Sequence, residues 1–170
     1  MSETGKSWKS GRDRSGRTTK ITKTMLTPPK NGWTDFSLEG TGEYGLSYLS
    51  DIPFDWLEQA VRGLATDTPF CVTGELEPGL FVCSVGYRNS RIFEKEDDRS
   101  GDSPDDCVAE SPVGMLDFCR LLHEDLSADL EGWACWSPFS PDEEFEPRIR
   151  ELVRRLGELR TLIDEKTDRG

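Results

Sequence analysis

The stretch Pro69-Phe-Cys-Val-Thr-Gly-Glu-Leu-Glu-Pro-Gly-Leu-Phe-Val-Cys-Ser-Val-Gly-Tyr87 decides the fold. Its second half sets Phe81, Cys83 and Val85 against Val82, Ser84 and Gly86, a period of two that sends one set to each face of a strand. Pro69 to Glu75 reads as a neighbouring strand, and Leu76-Glu77-Pro78-Gly79 has the chemistry of a tight turn between the two. A third short strand is expected at Arg91 to Glu94, completing an antiparallel meander with one face under a helix and the other partly wet.

Outward from this centre, Trp33 to Leu38 and Glu43 to Leu49 read as a hairpin around Gly40 to Gly42, with Tyr44, Leu46 and Tyr48 at period two. Helix one is expected over 53–65, because Phe54, Leu57, Ala60, Val61 and Leu64 recur at helical spacing behind Pro53. Trp56 falls off the centre of that stripe and is expected to flank the core. Helix two is expected to use Ser111 as its cap and Pro112 as its first residue. Its stripe of Met115, Cys119, Leu122, Leu126 and Leu130 ends at Gly132. The aromatic run Trp133 to Phe139 either seals one end of the core or presents an anchor patch.

A last helix is expected from Pro147 to about Lys166, with Phe145 just ahead. Phe145, Ile149, Leu152, Leu156, Leu159 and Ile163 follow a heptad spacing. The seam is under three heptads long, which favours packing on its own domain; self-association through Ile149, Leu152, Leu156, Leu159 and Ile163 is the alternative. The fold class is α+β: a small antiparallel sheet of about four to six strands packed against two or three helices, with a long amphipathic C-terminal helix.

The charge is unevenly placed. Residues 1–30 hold eight Lys or Arg against two carboxylates, so the formal net charge of −12 leaves −18 for residues 31–170. Residues 1–30 are therefore read as a basic, largely disordered tail with a weak strand at 18–26 and a break at Pro28 and Pro29. Residues 31–170 are read as a single acidic domain. Residues 94–106 form a polar insertion without an apolar side chain beyond its ends, expected to be a mobile loop, and its carboxylates miss the alternating register of a calcium loop. The five cysteines include no C-x-x-C, and there is no apolar leader or membrane-length run, so a reducing cytoplasm is expected and a membrane is not.

No motif for a cofactor or metal stands out. The only histidine, His123, follows Cys119 by four residues on one helix face, but Cys119 lies in the core stripe, the wrong place for a reactive thiolate. Phosphate-cradling glycine motifs and paired zinc ligands are absent. An enzyme is the minority reading. The tail offers weak, salt-sensitive contact to nucleic acid, and the acidic domain behind it opposes stable binding.

The leading expectation is a small acidic protein-binding protein of the inhibitor or immunity type, covering a basic partner such as a toxin or a nucleic-acid-handling enzyme. The expected contact residues are Trp133 and Trp136 as exposed aromatic anchors, ringed by Glu94, Glu96, Asp97, Asp98, Asp102, Asp105, Asp106, Glu143 and Glu144. The alternative is a structural or assembly component, for example phage-encoded, docking through its C-terminal helix and basic tail. Either a monomer or a dimer is compatible with the sequence.

Overall fold

The alternation read in residues 69–87 becomes the centre of an antiparallel sheet in a computed structural model of the chain, which describes residues 24–95, 107–136 and 145–169. Among the described residues the order is β1 (Trp33–Phe36), β2 (Tyr44–Ser47), α1 (Ile52–Thr66), β3 (Phe70–Glu75), β4 (Leu80–Val85), β5 (Ser90–Lys95), β6 (Cys107–Ser111), α2 (Met115–Ala128), α3 (Leu130–Ala134) and α4 (Phe145–Asp168). The six strands lie side by side in chain order. This is the α+β fold that the sequence indicates.

Period two works as expected in the centre. Phe70, Val72, Phe81, Cys83, Val85 and Ile92 are buried on one face, and Cys71, Thr73 and Arg91 are exposed on the other. α1 packs on β3, α2 meets the same face through Phe118 against Phe70, and α4 covers α1 and α2 from outside. The seam of α4 is spent on this packing. Leu152, Leu156, Leu159 and Ile163 are buried and Ile149 is half-buried, so the self-association seam is an internal contact.

The β1–β2 hairpin departs from the regular sheet. β2 touches β3 through one pair only, Ser47 opposite Glu75. From there the hairpin swings over the buried face, so that Phe36 meets Phe81 with ring centroids 4.9 Å apart and Tyr44 meets Phe81 at 5.3 Å. Trp56 fills the gap this opens. Its indole is fully buried, lies 5.6 Å from Phe36 and 6.1 Å from Phe118, and its N–H donates to Thr73 O at 2.8 Å. The expectation that Trp56 flanks the core is corrected: the helical stripe leaves it off-centre with respect to the sheet, but the displaced hairpin adds a second apolar wall on that side.

The fold also begins earlier than expected. Residues 24–30, assigned to the basic tail, form an edge along β1. Leu26 bridges Phe36 and Lys30 bridges Trp33. The turn between them is Asn31-Gly32, with φ of 53° and 80°, a two-residue turn that needs both residues in the left-handed region. The Tyr48 ring lies directly on Gly32, where a side chain would not fit. Met25 and Leu26 are buried, and both their N–H groups donate to one oxygen of Asp125 on α2, at 2.7 and 2.8 Å. Of the weak strand expected at 18–26, residues 18–23 lie outside the described residues.

The start of helix two is corrected as well. Ser111 is the last residue of β6, paired with Ser90, and α2 starts only after an extended Gly114. Gly114 packs on the Tyr87 carbonyl, and Met115 N donates to Gly86 O at 2.8 Å, so strand contacts set the helix start. The helix also ends early. Asp129 breaks it at Ala128 and accepts from Gly132 N at 3.0 Å, capping the separate α3 that contains Gly132.

Two stability tests follow from this packing. Trp56→Phe removes the bond to Thr73 and leaves a void, and denaturant unfolding should show a loss of about 2–4 kcal/mol. Burial pushes the Asp125 carboxyl above its ordinary value, and the amide bonds from Leu26 and Met25 only partly oppose it. With the folded pKa raised, the stabilising contribution of Asp125 is complete below the unfolded pKa of about 4 and declines as pH rises through the folded value. Asp125→Asn should therefore gain on the native chain as pH rises from about 4 to about 7, read by paired thermal melts. Asp125→Ala should be destabilised throughout, by about 1–3 kcal/mol for each stranded N–H.

Candidate functional site

Strand register brings the described flanks of the acidic segments to one end of the sheet. Glu75, Leu80 and Lys95 pair across β3, β4 and β5 and mark one end of the sheet. Ser47 joins them from β2. α1 begins at the same end, since Trp56 in its first turns bonds Thr73 near the end of β3. α4 begins there too, through Arg148 on Asp51. The stretch 96–106 is bracketed by Lys95 and Cys107, and 137–144 by Trp136 and Phe145, with the Trp136 indole N–H donating to Ser50 O at 2.8 Å. The described residues that flank these stretches thus stand at one end of the molecule. Glu75, Glu77 and Glu94 stand at that end, the last two exposed.

Local titration reflects the crowding. Burial raises the Asp55 carboxyl above its ordinary range, and the neighbouring Asp51 and Glu58 add to the shift while Arg155 opposes it. Burial likewise raises the Tyr44 phenol, with Glu94 adding to it. α4 is different. Residues 145–169 carry seven Arg or Lys against six carboxylates, joined in pairs such as Arg154 with Glu151 and Arg160 with Asp164. Hydrogen bonds from Arg154 and Arg155 hold Glu151 at about 2. The long helix is nearly neutral, and the negative excess lies in the rest of the domain.

Arg148 locks this end. Its guanidinium donates to both carboxylate oxygens of Asp51 at 3.0 and 3.2 Å, to Ala134 O at 2.9 Å and to Trp136 O at 3.2 Å, and it stacks 4.4 Å above the Phe54 ring. It therefore satisfies carbonyls left free at the end of α3 and ties α3, α4 and the start of α1 together.

The expected anchors are not on the surface. Trp133 is fully buried and Trp136 is 2 % exposed, their rings 5.4 Å apart, so these two indoles seal the core, while residues 137–139 of the aromatic run lie outside the described residues. Arg148 holds the carbonyls of Ala134 and Trp136, and the Trp136 indole N–H donates inward to Ser50 O. Of the expected carboxylate ring, Glu94 is exposed at the end of β5, while Glu96, Asp97, Asp98, Asp102, Asp105, Asp106, Glu143 and Glu144 lie outside the described residues. Cys119 is fully buried, and burial pushes its thiol up to about 12; burial, with Arg160 adding, lowers the His123 imidazole. Closed off in the core and held as a thiol, Cys119 is no substrate-facing nucleophile for His123 to activate.

Two further surface features lie apart from these residues. One is an open cleft of about 490 Å³ between the Asn31-Gly32 turn and α3, with Lys30, Tyr48, Cys135 and Trp136 among its walls. The other is the outward face of the sheet, where Val82 pairs with Phe93. The alternation that identified the buried set had already named Val82 as its outward partner. No described helix is long and apolar enough to cross a membrane. Comparison with protein-family models, with curated proteins and with solved structures finds no match to this chain.

Arg148→Lys keeps the charge and loses the forked geometry, and should cost about 1–3 kcal/mol in denaturant unfolding. Near-ultraviolet circular dichroism, which reports the Trp133 and Trp136 environments, should change with it.

Proposed function

We propose that this chain is a small acidic protein-binding protein of the inhibitor or immunity type, acting in the cytoplasm by covering a basic partner such as a toxin or a nucleic-acid-handling enzyme. The observation that supports this reading is that Glu75, Glu77 and Glu94 and the described flanks of two carboxylate-rich stretches stand at one end of the sheet, set against a nearly neutral α4. Charge gathered at one end accelerates encounter with a positive surface and rejects negative ones. Five free thiols, three of them exposed, favour a reducing compartment. With the α4 seam packed on α1 and α2, the reading takes the chain as a monomer until it meets its partner.

Affinity capture with the full chain should retain a basic protein at low salt. Its affinity, measured once it is identified and purified, should fall about tenfold or more between about 0.1 M and about 1 M ionic strength, where the Debye length drops from about 10 Å to about 3 Å. A triple change of Glu96→Gln, Asp97→Asn and Asp98→Asn should slow association more than it speeds dissociation. Capture of acidic or neutral proteins alone, indifferent to salt, would overturn the reading.

A further inference from the structure

The cleft between the Asn31-Gly32 turn and α3 has two walls, each held by its own hydrogen bonds. On one side Lys30 and Trp33 exchange backbone bonds of 2.9 and 3.0 Å around the turn, Tyr48 N donates to Gly32 O at 2.9 Å, and the Tyr48 ring lies on Gly32. On the other, Asp129 caps α3 through Gly132 N, Arg148 holds the carbonyls of Ala134 and Trp136, and the Trp136 indole is bonded to Ser50 O. The space between them, about 490 Å³, has the size of a small-molecule site, and its walls are preformed.

The lining has one sign of charge. Among the described residues Lys30 is the one charged side chain that lines the cleft, in a chain whose formal net charge is −12. Lys30 and Asn31 are exposed and Tyr48 is half-buried. Among the described residues the Lys30 ammonium, the Asn31 amide and the Tyr48 hydroxyl donate to no protein group, and Lys30 has no carboxylate within ion-pair distance. Three donors are thus left over in one cleft, and Pro29, Tyr48 and Trp136 supply apolar and aromatic surface beside them.

We propose that this cleft binds a small aromatic carboxylate, with the carboxylate taken by Lys30, Asn31 and Tyr48 and the ring set against the apolar wall. Only an anionic acceptor satisfies all three donors and offsets the ammonium charge. A cation would meet Lys30 as a like charge, and a neutral ring would leave it without a counter-charge. The site stands apart from the protein-binding role proposed above and does not depend on it.

The cleft carries its own reporter. Cys135 is exposed and lines it, whereas the exposed Cys71 and Cys107 lie on β3 and β6, outside the lining. Iodoacetamide labelling of the full chain is followed by mass spectrometry during titration with indole-3-acetate, with its neutral amide and with inorganic phosphate. A dissociation constant of about 1 mM or tighter for indole-3-acetate should slow Cys135 about tenfold at about 10 mM ligand, while Cys71 and Cys107 keep their rates. The amide, which lacks the charge, and phosphate, which lacks the ring, should each bind about tenfold more weakly. Lys30→Gln should bring indole-3-acetate down to the level of the amide; the bridge of Lys30 to Trp33 is made by backbone groups and survives the change. Labelling of Cys135 unaffected by indole-3-acetate, equal protection by the amide or by phosphate, or an undiminished response in Lys30→Gln overturns the site.

Discussion

The fold depends on how Trp56 fills the gap between β2 and β3. A sheet that lets one hairpin leave its plane frees backbone groups and opens a wedge in its core. The Trp56 indole answers both needs, donating to the Thr73 carbonyl while its ring packs against Phe36, Phe81 and Phe118. With that wedge filled, the hairpin can cross the buried face of the sheet.

The same geometry separates structure from charge. α4 runs alongside α1 and is tied to it near both ends, by Arg148 on Asp51 and by Lys166 on Asp67 at 2.6 Å. Exposed ion pairs of this kind are individually worth little. The Arg148 pair differs because its guanidinium also satisfies two backbone carbonyls and stacks on Phe54. Much of the positive charge of the domain is engaged along α4, largely against its own carboxylates. What remains at the far end of the sheet is a surplus of negative charge on strand ends, turns and the start of α1.

The parts of the fold that were legible in advance have one face to bury. Phe81, Cys83 and Val85 alternate, and Leu152, Leu156, Leu159 and Ile163 repeat at heptad spacing; both patterns come through as buried faces. The parts that were misread owe their place to distant partners. Residues 24–30 carry a hairpin signal in Asn31-Gly32, but Pro28, Pro29 and the neighbouring basic residues mask it, and the segment is held by an Asp125 carboxylate about a hundred residues away. Ser111-Pro112 has the chemistry of a helix start, yet pairing with Ser90 keeps Ser111 in the sheet. For the candidate site, composition pointed to carboxylates, of which Glu94 lies among the described residues, exposed at the end of β5, while the tryptophan anchors proved to be core.

The sequence by itself determined the class of the fold, its central strands, the extent of its long helix to within a few residues and the imbalance of its charge, because periodicity and composition are local properties that each segment carries alone. Only the tertiary structure decided which way Trp56, Trp133 and Trp136 face, that the helix seam is internal, and which sheet face the described helices cover. Those outcomes depend on register between strands and on single side chains, such as Arg148 and Asp125, that bind backbone groups far away in the chain, and no local pattern encodes such a contact.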